Sequence, residues 1–234
     1  MADTLTIPHR FHGPPDSGNG GWSAGAAARF VGDGPVEATL RAPPPLETPM
    51  TVERADGMVR VLDGEQLVIE SRRADDRPDA PPPVALDEAA GAGLDPDEVL
   101  PDHIFPSCFT CGPLREEGDG LRLLPGPVGV PDLVATTWVP HESMADAAGA
   151  VDDEIVWAAL DCPTYWVHRH RELPAVLGRL TVDIGGEARA GEQLVVVARD
   201  DGQEGRKLLS SSALYRPDGE LVAAARAVWV QIDV

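Results

Sequence analysis

The order of apolar and polar positions predicts one helix followed by a series of strands in the first third of the chain. A strand candidate covers 4–11, and a helical pattern covers 22–31, where apolar residues recur at every fourth position. Four segments then alternate between apolar and polar residues, as strands with one buried face do. These strand candidates are 36–41, 50–54, 58–62 and 67–71.

The same order returns in the second half of the chain. Strand candidates at 120–124 and 133–138 precede a helical pattern over 152–167, which begins with acidic residues as helix N-termini favour. Further strand candidates follow at 176–183, 193–199, 206–215 and 221–232. The repeat predicts a duplicated α+β unit in which each helix covers one face of an antiparallel sheet. A single β-sandwich with two incidental helices is the weaker alternative, because the order of elements matches.

The stretch between these two runs has the composition of a linker. Residues 74–106 are rich in Asp, Pro, Ala and Gly, and a short helical pattern covers 86–90. The sequence therefore predicts an N-terminal domain over 1–73, a linker over 74–106 and a C-terminal domain over 107–234.

Composition and charge exclude several classes of function. A net charge of -20 disfavours nucleic acid and anionic membrane surfaces as partners. The chain is 43% hydrophobic, and no run of apolar residues is long enough for a transmembrane helix. The first residues lack the basic region and apolar stretch of a signal peptide, so we expect a cytoplasmic protein.

Three short segments together resemble a known family. Residues 108–113 read CFTCGP and are followed by GLRL at 120–123, residues 154–161 read EIVWAALD, and residues 18–25 read GNGGWSAG. In this order they resemble the PaaI-like and thioesterase-like proteins of the hotdog-fold thioesterase superfamily. The resemblance covers nearly all of both domains. It implies an α+β double hotdog, with two central helices each wrapped by a curved antiparallel sheet, and acyl-CoA or acyl-carrier thioesterase activity.

The second half departs from the family pattern. Many relatives have a His-Gly-Gly lead into the helix, and residues 147–153 here read AAGAVDD. The glycine backbone donors are therefore retained only in the first half.

Asp161 is the first candidate for the catalytic carboxylate. It lies in an otherwise apolar helical pattern, where a carboxylate is expensive to bury unless it is paired or functional. The resemblance implies a general base or a direct nucleophile. The alternative is an Asp that bonds nearby backbone and ends the helix before Pro163.

The start of the first helix supplies the candidates for binding the thioester carbonyl. Asn19, Gly20 and Gly21 precede the helical pattern, and glycines at a helix start let a substrate approach unpaired N–H groups. In a fused pair of hotdogs, these residues and Asp161 could meet across the interface. The alternative is an N-cap followed by a tight turn.

Three further residues are candidates for substrate binding. Trp22 and Trp157 occupy comparable places in the two helices. Arg169 belongs to a basic cluster after the second helix, where it could meet CoA phosphates or simply suit the helix dipole.

Cys108, Cys111 and Cys162 are expected to be reduced. A structural zinc site needs about four ligands, and even with His103 no second pair has finger-like spacing, so we expect no metal. Cys162 could be a nucleophile but is more typical of core filling. The resemblance implies no cofactor, with CoA entering as part of the substrate.

Two other functions stay open. One is a hotdog hydratase or dehydratase, which usually pairs a His with a carboxylate near the helix start. The other is a non-catalytic acyl- or CoA-binding protein, which the lost glycine lead favours. A monomer is compatible with two fused units, and so is a homodimer through exposed sheet edges.

Overall fold

A computed structural model describes residues 3–171 and 174–232, and it is built on one antiparallel sheet of eleven strands. The strands are β1 Asp3–Leu5, β2 Val36–Leu40, β3 Met50–Ala55, β4 Met58–Asp63, β5 Gln66–Arg73, β6 Gly126–Pro127, β7 Leu133–Trp138, β8 Ala175–Ile184, β9 Leu194–Glu204, β10 Lys207–Tyr215 and β11 Leu221–Gln231. The α-helices are α1 Gly20–Ala28, α2 Leu86–Ala92, α3 Pro96–Val99 and α4 Asp153–Trp166. Among the described residues, no helix is both long and apolar enough to cross a membrane.

The order of strands is mirrored about the centre of the sheet. It runs β1-β3-β4-β5-β2 and then β8-β11-β10-β9-β7-β6, so that β2 and β8 meet in the middle. Val36 pairs with Val182 and Ala38 with Leu180 across this junction, and all four side chains are buried. The junction therefore joins the two halves through backbone hydrogen bonds and a shared apolar face.

The two long helices lie against each other inside the curve of the sheet. Every residue of α1 after Gly20 is buried, and Gly, Ala and Ser make up most of that helix. A Cβ added at Gly21 would lie 2.7 Å from the Trp157 carbonyl oxygen, and one at Gly25 would lie 2.8 Å from the Trp157 Cβ. The helices thus touch almost backbone to backbone, which only glycine permits.

Most of the predicted elements are present, and two strand predictions were wrong. Over 4–11, only Asp3–Leu5 is a strand, and the chain then turns through a 3-10 helix at His9–Phe11. Residues 121–125 run as irregular chain, because Leu121 and Leu123 bond back to the cysteine loop through the carbonyl oxygens of Phe109 and Thr110. Local alternation cannot distinguish burial under a loop from burial in a sheet.

The first part of the segment predicted as a linker, up to the end of α2, forms a layer on the outer face of the second half of the sheet, and Val99 and Phe105 of its later part pack with the cysteines and α4. Ala89 of α2 is fully buried and packs with residues of β7, β9 and β10. The Tyr215 hydroxyl donates to the Pro81 carbonyl oxygen at 2.5 Å. Arg226 pairs with Asp76, which fastens the start of the segment to β11. The division into domains at 74 and 106 stays a prediction, and residues 1–2 and 233–234 lie outside the described residues.

The contact between α1 and α4 is tested by Gly25→Ala. The added methyl group meets the Trp157 side chain, so we expect a loss of about 1–3 kcal/mol in the free energy of unfolding. Gly91→Ala is the control, because no atom lies within 4 Å of a Cβ on that helical residue. The control should be neutral or stabilising by up to about 1 kcal/mol. Denaturant unfolding measures both, and equal stabilities would contradict the close helix contact.

The outer layer is tested by two neighbouring alanines of α2. Ala89→Asp buries a carboxylate against β7 and β9, and we expect it to lower the free energy of unfolding by on the order of 3 kcal/mol. Ala90→Asp places the same group on the exposed side and should change stability by less than about 0.5 kcal/mol. If the two variants unfolded alike, segment 74–106 would be a loose linker.

Candidate functional site

The N-terminus of α1 is pressed against the middle of α4. Asn19 is the N-cap of α1, and its side-chain oxygen accepts a hydrogen bond from the Trp22 backbone N–H at 2.9 Å. A Cβ added at Gly21 would lie only 2.4 Å from the Cβ of Asp161. The glycine therefore brings the free N–H groups of one helix start directly onto the Asp161 carboxylate.

Asp161 is a buried carboxylate with one oxygen hydrogen-bonded and the other oxygen buried without a partner among the described residues. Asp161 is only 1% exposed. Its Oδ2 accepts hydrogen bonds from the Gly21 backbone N–H at 2.9 Å and from Asn19 Nδ2 at 3.1 Å. Oδ1 has no hydrogen-bond partner within the described parts of the chain. Burial raises the pKa of Asp161 to about 7, although the bonds from Gly21 and Asn19 act in the opposite direction. Such a group can both take and return a proton near neutral pH.

A cavity of about 370 Å³ opens beside this carboxylate. Asn19, Gly20 and Asp161 line its polar end. Aromatic and aliphatic side chains from α4, β8 and β11 line much of the rest, among them Tyr165, Trp166, Leu177 and Trp229. A mostly apolar cleft of this size, with a few polar groups at one end, is typical of a small-molecule site.

The three cysteines lie together in the wall of the same cavity. All three are buried and none forms a disulfide bond. The Cys108 and Cys162 sulfurs are 3.8 Å apart. The Thr110 hydroxyl donates to the Ala158 carbonyl oxygen at 3.1 Å and fixes the cysteine loop to α4. Hydrogen bonds from Cys111 and Cys162 hold the pKa of Cys108 well below its usual range.

Comparison with known proteins identifies the fold. No protein-family model matches the sequence, and no curated protein matches it. A tesB protein of Mycobacterium avium subsp. paratuberculosis superposes with a TM-score of 0.59 at 14% identity, over 98% of this chain and 91% of that one. A thioesterase candidate from Novosphingobium aromaticivorans gives 0.61 at 15% identity, over 98% and 95%.

A third structure, a conserved protein of unknown function with a hotdog fold from Alicyclobacillus acidocaldarius, gives a TM-score of 0.56 at 12% identity, over 99% and 93% of the two chains. The chain has the hotdog fold. The α+β hotdog fold that the sequence motifs implied is thereby confirmed, and its division into two fused hotdog units stays a prediction.

The hotdog arrangement brings together some of the predicted site residues and separates others. Asp161, Asn19 and Gly21 form one hydrogen-bonded group, and Gly20 lines the cavity beside them. Arg169 is exposed and lines the cavity, so it lies at the mouth. Trp22 and Trp157 are buried, Trp22 stacking on Phe11 and Trp157 against α1, and neither lines the cavity as the described residues define it.

Sequence reasoning did not find the apolar wall of the cavity. Tyr165 and Trp166 lie about one turn after Asp161, and helical spacing could have pointed to them. Leu177 and Trp229 come from β8 and β11, and nothing in their local pattern distinguishes a cavity wall from a core.

The position of α1 that matches Asp161 carries no carboxylate. Asp161 lies nine residues after the N-cap of α4, and the residue nine after the N-cap of α1 is Ala28. The start of α4 carries Asp152, Asp153 and Glu154 in place of glycines, and Glu154 pairs with Arg29 at 3.5 Å. Carboxylates at a helix start would repel the oxygen of a carbonyl substrate. The start of α4 is therefore not suited to bind a thioester carbonyl.

A larger and more open cleft of about 750 Å³ lies elsewhere, between the loop after the cysteines and β7. Gly118, Arg122, Trp138 and His141 line it, and neither Asp161 nor a cysteine does so within the described residues. The smaller cavity is the better candidate, because it joins a buried carboxylate to helix-start N–H groups and an apolar wall.

The two roles of Asn19 are separated by Asn19→Ala and Asn19→Ser. Alanine removes both the N-cap and the bond to Asp161, so we expect it to lower the free energy of unfolding by about 1–2 kcal/mol. Serine keeps a capping oxygen and should recover most of that loss. Thermal or denaturant unfolding compares the variants. Equal losses would show that the cap contributes little.

Proposed function

We propose that this protein hydrolyses acyl thioesters such as acyl-CoA, using Asp161 as the general base. One observation carries the proposal. A buried carboxylate, whose second oxygen has no hydrogen-bond partner among the described residues, lines a mostly apolar cavity, and the N-terminus of another helix lies beside it. Two solved structures of the same fold are named a tesB protein and a thioesterase candidate, and these names agree with the proposed activity.

We also propose that the chain is two fused hotdog units that share one site. The mirrored strand order and the antiparallel contact of the two helices support this. Each unit gives one part, since α1 brings the backbone donors and α4 brings the carboxylate. A single unit would lack one of the two.

The backbone N–H of Gly20 is suited to polarise the thioester carbonyl. As the first residue of α1, Gly20 has an N–H without an intrahelical acceptor, and it lines the cavity. The Gly21 N–H is held by Asp161 and the Trp22 N–H by Asn19. Charge that develops on the carbonyl oxygen would thus meet the positive end of a helix in a water-poor site.

The steps follow from this placement. Asp161 takes a proton from a water, and the oxygen of that water adds to the carbonyl carbon. The adduct collapses to the carboxylic acid and breaks the carbon–sulfur bond. The leaving thiolate receives the proton that Asp161 holds, which restores the carboxylate. Asn19 keeps the carboxylate oriented throughout by its bond to Oδ2.

The cavity fits an acyl group, with the carrier outside. Its volume of about 370 Å³ and its aromatic wall suit an apolar chain or ring. Arg169 lies at the mouth of the cavity, where its guanidinium could bind the phosphates of a CoA carrier that extends into solvent.

The proposal is tested by Asp161→Asn in an assay of free-thiol release from short, medium, long and aromatic acyl-CoAs. Asparagine keeps an acceptor oxygen for Asn19 and Gly21 and removes a buried charge, so the variant should be at least as stable as wild type. Loss of the base should lower kcat by about 100-fold or more.

The matched control is Asp153→Asn, which removes an exposed carboxylate from the other end of the same helix. Its activity should stay within about twofold of wild type. A fully active Asp161→Asn would place the chemistry elsewhere. Ligand binding without release from any thioester would identify a non-catalytic acyl-binding protein.

A further inference from the structure

The cluster of three cysteines goes beyond what thioester hydrolysis needs. Cys108, Cys111 and Cys162 offer sulfur atoms that all lie within 4.8 Å of one another, and each side chain is buried. The first two come from one loop and the third from α4. Core filling explains a single buried cysteine, but three converging sulfurs from two elements are the arrangement of a metal site.

The spacing of the sulfurs fits a tetrahedral ion. Zinc binds thiolate at about 2.3 Å, which sets neighbouring sulfurs about 3.8 Å apart in a tetrahedron. The Cys108 and Cys162 sulfurs are 3.8 Å apart, well beyond a disulfide bond. This pair is therefore already at the separation that a shared ion requires, and the third sulfur lies within 4.8 Å of both.

The cysteine loop has the construction of a ligand turn. The backbone N–H groups of Thr110 and Cys111 contribute to lowering the pKa of Cys108. The Gly112 N–H donates to the Cys108 carbonyl oxygen at 2.8 Å, and a Cβ on Gly112 would lie 2.4 Å from that oxygen. The glycine keeps the turn tight enough to aim both sulfurs the same way. N–H donors to sulfur suit a thiolate better than a thiol.

A second group of the site also stabilises negative sulfur. The Asn19 side-chain nitrogen lies 3.8 Å from the Cys108 sulfur and 4.0 Å from the Cys162 sulfur. Its amide hydrogens therefore face two of the sulfurs as well as Asp161.

We propose that Cys108, Cys111 and Cys162 bind one Zn²⁺ as thiolates, with the fourth coordination position open to the cavity. Binding converts three thiols and one Zn²⁺ into a trithiolate complex and releases three protons. Cys108, Cys111 and Cys162 all line the cavity. Thiolate ligands favour zinc over the hard cations Mg²⁺ and Ca²⁺.

His103 does not complete the set. Its Nδ1 accepts a hydrogen bond from the Phe105 backbone N–H at 3.2 Å. In the neutral ring the proton is then on Nε2, which leaves no lone pair there for a metal. The fourth ligand is therefore a water or a small ligand from the cavity.

The first measurement is the metal content of the full-length chain, purified under reducing conditions without chelator, by inductively coupled plasma mass spectrometry. We expect about one zinc per chain. Cys111→Ser and Cys162→Ser should lower it to a small fraction, and Ser107→Ala, which changes a neighbouring non-ligand, should keep it. His103→Gln should also keep it. A wild-type chain that holds no zinc and takes up none on titration overturns the proposal, as does one holding copper or iron instead.

Two measurements on the wild-type chain keep the test decisive if the variants fail to fold. Added Co²⁺ should give thiolate-to-metal charge-transfer absorption that saturates at one equivalent. A chelator should make three thiols reactive towards a thiol reagent, and zinc should protect them again. Absence of the absorption, with thiol reactivity unchanged by chelator and zinc, overturns the site.

Different experimental outcomes would overturn the zinc-site proposal and the proposed function. Asp161→Asn should lose thioester hydrolysis and keep its zinc, because Asp161 is not a ligand. A wild-type chain that holds no zinc, takes up none on titration and still hydrolyses thioesters would remove the zinc proposal alone. A zinc-loaded chain without hydrolysis would remove the proposed function alone.

Discussion

The contact between α1 and α4 at Gly21 is the constraint on which the rest of the structure depends. With no side chain at this position, the two helices approach until the Cβ of Asp161 occupies the space a methyl group would need. The same approach puts the N–H groups of one helix start on the carboxylate of the other. The same two halves are also joined through the sheet, where β2 and β8 are neighbours.

This contact also explains how a carboxylate can be held in the core. Burying an ionised group is costly unless hydrogen bonds and local dipoles compensate. Here Gly21 and Asn19 donate to one oxygen, and the positive end of α1 faces it. The other oxygen is buried and accepts no hydrogen bond from the described residues. The compensation is therefore incomplete, as is common where a group has to act rather than only fold.

The parts of the fold that were predictable are those with local periodicity. The two long helices and the strands from β2 to β5 and β7 to β11 follow from alternation and helical spacing. Asn19, Gly20, Gly21 and Asp161 were identifiable because polar or flexible residues interrupt apolar helical patterns.

What remained hidden depends on contacts between distant residues. Leu177 and Trp229 become a cavity wall only when β8 and β11 lie side by side. Cys162 joins the Cys108–Cys111 loop across a long stretch of sequence, so spacing alone gave too few ligands. Segment 74–106 looked like a linker because its Pro and Asp content masks the few apolar residues that it buries.

That outer segment has a consequence for how the chain assembles during synthesis. Residues 74–92 are synthesised before β7, β9 and β10, the strands whose outer face they cover. During synthesis this layer is therefore present before the surface on which it packs. Its Pro-rich and acidic composition suits that interval, because such a composition disfavours β-pairing while the surface is absent. The layer can become ordered only once β10 has been made and paired.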